Sequence, residues 1–226
     1  MMEIHEKFIE IIARSVAPVV LEFGACEGED TMRMTEHLIS TGKPFIYHAF
    51  EPNDSLNDDF YNRNRRYVYE KLIQHFNIAI GDLDGEIDFH ISSGKKMHHG
   101  HVVDSYHGSS SIKKPVNVLR DYPEMSFVTK RVPIVKLDTH YANSELSARM
   151  IDFIWADVQA AEKDMIRGGI KTFTNRVRYL YTEYCDGNLY DDKTNINDIL
   201  KLLPNYEVVK DFGGDVLLVN RKLVKL

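Results

Sequence analysis

The sequence is short of cysteine, of long apolar runs and of blocks of like charge. Cys26 and Cys185 are the only cysteines in 226 residues. They lie far apart and in no paired-ligand spacing, which excludes a disulfide framework and suits a reducing compartment. No segment approaches the ~18 consecutive uncharged apolar residues of a membrane span. The 43% apolar and 11% aromatic content excludes an intrinsically disordered chain. The opening MMEIHEKFIEIIARS carries Glu3, Glu6 and Glu10, so it has neither the basic start nor the unbroken apolar stretch of a secretory signal. A soluble, cytoplasmic protein with no membrane span is expected. The net charge of −6, with no concentrated basic block, speaks against nucleic acid or anionic lipid as partner and for a small or neutral one. The clusters RNRR (63–66) and SIKK (111–114) are either local anion sites or, as is usual for such runs, solvated surface.

What is present alternates. Ile4, Phe8, Ile11 and Ile12 fall at helical spacing, and Pro18 then introduces the short apolar run VVLEFG, a buried strand. Thr31 to Ser40 reads as a helix closed by Gly42 and Pro44, and FIYHAFEP as a second strand. Asp54 is placed to cap a helix reaching about Phe76, with a third strand near 77–81 and a turn at Asp84-Gly85. IDFIWADV (151–158), a helix to Gly168, VRYLYTEY (177–184), a helix from Asn195 to Leu203, and a hairpin of YEVVKDF and DVLLVN joined at Gly213-Gly214 complete the series. Apolar strands alternating with helices predict one α/β domain over 1–226, a mostly parallel sheet with helices on both faces and a crevice at the strands' carboxyl ends. Residues 92–131, rich in Ser, Gly, His and Lys, break the rhythm and read as a long loop or lid that holds the acceptor.

The turn after the first strand carries the strongest local signal, and here too something is missing. A dinucleotide fingerprint wants glycine at three places, which here hold Gly24, Cys26 and Glu29, and no phosphate-cradling GxxxxGK[ST] loop exists anywhere in the chain. An uncharged or cationic ligand fits better than a nicotinamide cofactor or a triphosphate. Glu22, Gly24 and Gly28 match the acidic-x-Gly-x-x-x-Gly turn of S-adenosylmethionine sites, where the acid accepts from the ligand's amino group. The bland alternative is an ordinary glycine-rich strand-to-helix turn. Glu51, ending the second strand in AFEPND, is suited to accept from both ribose hydroxyls of an adenosine; taken alone it would read as a solvated strand-end acid.

In its order of motifs the chain resembles the FkbM-type methyltransferases, a branch of the S-adenosylmethionine-dependent methyltransferases. The matching pieces are VLEFGACEGEDT, FEPN, NIAIGDLDGEIDFHI, GSSSI, VPIVKLDTH and IDFIWADVQAAEKDMIRGG, spread over about residues 19–169. The resemblance implies a Rossmann-like class I methyltransferase fold with a C-terminal antiparallel hairpin. It implies S-adenosylmethionine as cofactor, and O-methylation of a hydroxyl on a sugar, glycan precursor or related small molecule. Within the matched pieces Ala25, Cys26, Thr31, Pro52, Ile80 and Asp82 join Glu22, Gly24, Gly28, Glu51 and Asp157 as candidate cofactor contacts. The family's Asp-Val-Glu-Gly-x-Glu segment is here Asp157, Val158, Gln159, Ala160, Ala161, Glu162, and Gln159 cannot take a proton as glutamate could. That departure motivates an alternative, a non-catalytic S-adenosylmethionine-binding or regulatory module.

Methyl transfer from a sulfonium needs alignment and, for a hydroxyl acceptor, a base. Asp157, at the predicted carboxyl end of the fourth strand, is the leading candidate, its alternative being a helix N-cap. Glu162 and Glu183 are further candidate acids, and His107, beside Ser109, Ser110 and Ser111, a candidate for the acceptor wall. His98, His99, His101 and His107 raise a metal hypothesis, but a Ser/Gly/His-rich loop is more often solvated and no metal is expected. Cys26 reads as a small turn residue rather than a reactive thiol.

Overall fold

The computed structural model of the protein describes residues 2–98, 101–184, 187–192 and 194–225. The chain opens with α1 (Met2–Ala13), whose Ile4, Phe8, Ile11 and Ile12 are buried as the helical spacing predicts. It continues through β1 (Val19–Phe23), α2 (Glu29–Ser40), β2 (Ile46–Phe50), a 3-10 turn at Asp54–Leu56, α3 (Asn57–Tyr69) and β3 (Gln74–Phe76). The middle of the chain forms β4 (Ala79–Gly81), β5 (Gly85–Gly94), β6 (Lys96–His98), β7 (His101–Val103), α4 (Val118–Asp121), β8 (Met125–Lys136) and α5 (Leu137–Ala142). The rest is β9 (Ile151–Ala156), α6 (Glu162–Gly168), α7 (Ile170–Arg176), β10 (Val177–Glu183), α8 (Ile196–Leu202), β11 (Tyr206–Asp211) and β12 (Asp215–Asn220).

Seven strands form the central sheet in the order β11-β12-β10-β9-β1-β2-β3, and β12 alone runs against its neighbours β10 and β11. β1 and β9 are buried at every residue, because a strand at the centre of a parallel sheet is covered on both faces. Strand alternation sends Val19, Leu21 and Phe23 into a core shared with Met165, Phe173 and Ile199 of α6, α7 and α8. Val20 enters the opposite core, with Phe8, Met34 and Phe60 of α1, α2 and α3. This is the three-layered α/β domain with a C-terminal antiparallel hairpin that the sequence predicts.

Three expectations need correction. The helix begins only at Asn57 and stops at Tyr69; Asp54 opens a 3-10 turn that Asn53 caps, its side chain accepting from the Ser55 N–H. The third strand of the main sheet is Gln74–Phe76, whereas Ala79–Gly81 leaves that sheet and pairs parallel with β8 in a second sheet of order β4-β8-β5. An apolar run announces burial but not which sheet buries it. Finally, 92–131 is not loop throughout. The β5–β8 ladder runs from the Gly85–Ile134 pair to the Gly94–Met125 pair, and β6 and β7 form a hairpin of their own. The second sheet docks tightly on the first layer: a Cβ on Gly168 of α6 would lie 1.7 Å from the Gly81 carbonyl oxygen.

Candidate active site

Where β1, β2 and β9 end side by side, the chain leaves a cavity that opens to solvent. Carboxyl-terminal crevices of this kind arise because neighbouring parallel strands send their connections to opposite faces. Three of the walls come from the strand-end turns, through Gly24 and Cys26 after β1, Glu51 and Pro52 after β2, and Asp157 to Gln159 after β9. The second sheet and its loops supply Ile80, Phe89, His107 and Ser110.

Gly24 is in the left-handed region (φ +84°), and a Cβ there would sit 1.9 Å from the Asp157 carbonyl oxygen, so no side chain fits between the β1 and β9 turns. Opposite, the Glu51 carboxylate is held by main-chain donors: Cys26 N–H donates to Oε2 and Asn53 N–H to Oε1, both at 2.8 Å. Each oxygen keeps a lone pair beyond that bond. Burial, partly offset by these two bonds, pushes the Glu51 carboxyl up to about 7. Cys26 serves this geometry through its backbone (φ +48°), while burial and the neighbouring Glu51 raise its thiol well above the ordinary range, against a reactive thiolate.

On the β9 side, Asp157 donates its N–H to Phe23 O at 2.9 Å, and its side chain opens to the crevice. It does not cap α6, whose N-cap is Ala161. Gln159 Nε2 lies 2.6 Å from Asp157 Oδ1 and 2.9 Å from Glu183 Oε2, so one neutral amide bridges two acids. Desolvation, then like charge from Asp215 and Asp30, raises Asp157; desolvation, then like charge from Asp157, Glu162 and Asp215, raises Glu183. Asp157 is exposed at the crevice mouth, and solvent screening moderates its rise. Lys96, reaching in from β6, stands 4.4 Å above the Tyr106 ring and 4.8 Å above that of Tyr122, and donates to Ser109 Oγ at 3.1 Å. His107 Nδ1 donates to the Ser92 carbonyl oxygen at 2.9 Å.

Of the residues named from sequence, Gly24, Cys26, Glu51, Pro52, Ile80, His107 and Asp157 line the cavity. Others do not. Glu22 is buried behind the turn, where its carboxyl accepts from Thr31 Oγ1 and from Tyr47 OH at 2.8 Å. Thr31 and Ala25 are buried with it, and Gly28, in the left-handed conformation, packs against Phe60 and Asn64. Asp82 is exposed away from the cavity wall, and Glu162 is buried at the start of α6, where desolvation pushes it up to about 8. Glu183 does not line the cavity but reaches it through Gln159. Among the described residues no group of three or more His, Cys, Asp or Glu side chains could hold a metal ion. His101 is exposed on β7, and His99 and Cys185 lie outside the described residues. The basic clusters are engaged with acids: Arg63 with Glu27, Arg66 with Glu70, and Lys113 with Asp164 and Asp192. Sequence reasoning missed Lys96, Tyr106, Tyr122 and Tyr190, which come from distant segments with no local motif. It saw Gln159 only as a departure.

Comparison with known proteins adds to this geometry. Among solved structures, the chain is similar to a delta-N METTL16 MTase domain, with a TM-score of 0.44, 8% identity and coverage of 96% of this chain and 79% of that one. It is also similar to M. capricolum TrmK in complex with S-adenosyl-homocysteine, with a TM-score of 0.38, 9% identity and coverage of 93% and 65%. In sequence it is 34% identical over 227 residues to 2-O-methyltransferase NoeI of Sinorhizobium fredii (strain NBRC 101917 / NGR234), covering 98% of this chain and 87% of the relative. The model of the methyltransferase FkbM domain matches residues 22–210, and with most of its length so matched the chain belongs to the FkbM methyltransferase family.

Proposed function

We propose that this protein is an S-adenosylmethionine-dependent O-methyltransferase acting on a hydroxyl of a sugar, a glycan precursor or a related small molecule. The observation that carries the reading is a crevice with a main-chain-held carboxylate at one end and an ionisable acid pair at the other. The residues present fit the cofactor. Glu51 has a lone pair on each oxygen beyond its two backbone bonds, matching two vicinal ribose hydroxyls. Gly24 leaves the turn open, and Pro52, Leu56, Ile78 and Ile80 line the same cavity with apolar surface for a flat base. When bound, S-adenosylmethionine supplies an electrophilic methyl group on a sulfonium centre.

Asp157 is the base in this reading. It would accept the acceptor hydroxyl's proton as that oxygen takes the methyl group the cofactor would supply, and would then release the proton to water. Its raised proton affinity, still below that of a hydroxyl, suits a group that must be ionised near neutrality and yet take a proton. The hydroxyl acceptor is supported by the name of the NoeI relative. The absence of a concentrated basic patch in a chain of net charge −6 supports a small or glycan acceptor over nucleic acid. Incubation with labelled S-adenosylmethionine and a panel of reducing sugars, glycosides and oligosaccharides should yield S-adenosylhomocysteine and an O-methyl product. Cofactor binding without turnover on any hydroxyl acceptor would instead favour a non-catalytic binding module.

A further inference from the structure

Gln159 and Ala160 are consecutive non-glycine residues in the left-handed region, at φ +49° and +72°. Each such residue is strained and persists only where the surroundings enforce it. Here they do. The buried Ser111 hydroxyl, from the GSSSI run, donates to the Gln159 carbonyl at 2.6 Å. Ala160 is buried in a cluster with Val118, Met125 and Tyr190. The Tyr190 hydroxyl donates to Ser109 O at 2.8 Å and lies 3.3 Å from Gln159 Oε1.

The strained turn has one visible effect on the site, which is to raise the Gln159 side chain between Asp157 and Glu183. Its orientation is fixed by chemistry. An amide oxygen between two carboxylates would face acceptors on both sides, whereas the NH2 group offers one N–H to each and turns the oxygen toward the Tyr190 hydroxyl, whose single proton goes to the nearer Ser109 O. We propose that Gln159 is the positioning residue for the base: it holds the Asp157 carboxylate beside Glu183 and aimed at the acceptor, and so sets the pH at which Asp157 is able to accept a proton. The role in turnover rests on the methyl-transfer reading above; the clamp itself does not.

The groups facing the pair make such a clamp necessary. Glu162 approaches from α6, Asp215 from β12, Asp30 from α2 and Glu51 from the end of β2, all acids. The hydroxyls of Tyr106, Tyr181 and Tyr190 and the Cys26 thiol are neutral neighbours, the His107 ring faces the same cavity, and the cation among the described residues is Lys96 from β6. Desolvation and like charge favour the protonated acids, and the Gln159 N–H bond favours the ionised form of Asp157. The family's glutamate at this place would put a third acid between the two. This chain therefore reaches an ionised base with one fewer titrating group.

The test follows the carboxyl groups directly. In protein carrying 13C-labelled Asp and Glu side-chain carboxyls, with resonances assigned through Asp157→Asn and Glu183→Gln, Gln159→Leu should raise the titration midpoint of Asp157 by about one to two pH units. Tyr190→Phe, which leaves the amide in place but frees it to turn, should raise it less. In turnover, the acid limb of kcat/KM should move up with the midpoint in Gln159→Leu, while S-adenosylhomocysteine affinity stays as in the wild type. Unmoved midpoints in folded Gln159→Leu and Tyr190→Phe would overturn the proposal, as would a uniform loss of activity with no change in the pH profile. Shifted midpoints in a wild type that transfers no methyl group would remove the methyl-transfer reading and keep the clamp.

Discussion

On the β1–β2 side of the crevice, Glu51 is gripped by two main-chain N–H groups, and any sequence that keeps the turn keeps those donors. On the β9–β10 side, Asp157 and Glu183 are gripped by a side chain, which is in turn braced by Ser111 and Tyr190 from separate loops. The same functional group is thus fixed by backbone at one end and by a chain of side chains at the other. Backbone fixation resists substitution and suits the partner that never varies. Side-chain fixation is open to change residue by residue, which suits the end where one acceptor must be told from another.

The contrast can be broken most sharply at Asp157. Asp157→Asn keeps the shape but cannot accept the proton, so turnover should fall by about 10²- to 10⁴-fold with little change in cofactor affinity. Near-normal rates would take the base away from this end of the crevice. Glu51→Ala tests the other end, and calorimetry should show S-adenosylmethionine binding weakened by about 1.5–3 kcal/mol in a folded protein. Unchanged affinity there would mean that the main-chain-held carboxylate does not meet the ribose.

Glu22 sharpens the comparison from behind the turn. Burial pushes its carboxyl from an ordinary 4.5 up to about 8 in the folded chain. Between those values the folded state holds a proton that the unfolded state has lost, so stability falls as pH rises, by up to about 1.4 kcal/mol per pH unit. Glu22→Gln removes this slope. Its melting temperature should stay near the wild-type value at pH 5 and exceed it at pH 8.5, and parallel wild-type and variant curves across that window would show that Glu22 is ionised in the fold. The smallest effect is expected for Ala160→Gly. Easing the left-handed backbone gains about 1 kcal/mol, while the lost buried methyl and the freer unfolded chain cost about as much. Chemical denaturation should therefore move by less than about 1 kcal/mol; a loss above about 2 kcal/mol would place the hold on this turn in the packing of the methyl group.

Much of this was legible in the sequence, for identifiable reasons. The buried strands show as apolar runs, the hairpin as Gly213-Gly214, and the β1 and β2 turns as glycine and acid at set distances, because these depend on residues close together in the chain. Glu22 does not line the cavity, because strand alternation sets it with Val20, on the face away from Leu21 and Phe23, which spacing to Gly24 alone does not reveal. β3 was missed because QHF carries no alternation, and the apolar run that follows belongs to the second sheet. Lys96, Ser111 and Tyr190 converge from three segments, and nothing in any one segment announces the other two. Gln159 was visible as an exception to a pattern, and its purpose became readable only when its two carboxylate partners were in place.

The pairing at the middle of the main sheet has a consequence for how the protein is made. β1 lies between β2 and β9, and the bond from Val19 N–H to the Asp152 carboxylate spans 133 residues of sequence. During synthesis the first strand therefore waits with one edge unpaired until β9 has left the ribosome, and Glu183 and Tyr190 arrive later still. Contacts of such separation close slowly. The crevice is thus among the last features of the molecule to exist, and a chain truncated before β9 would carry Gly24 and Glu51 without the wall that faces them.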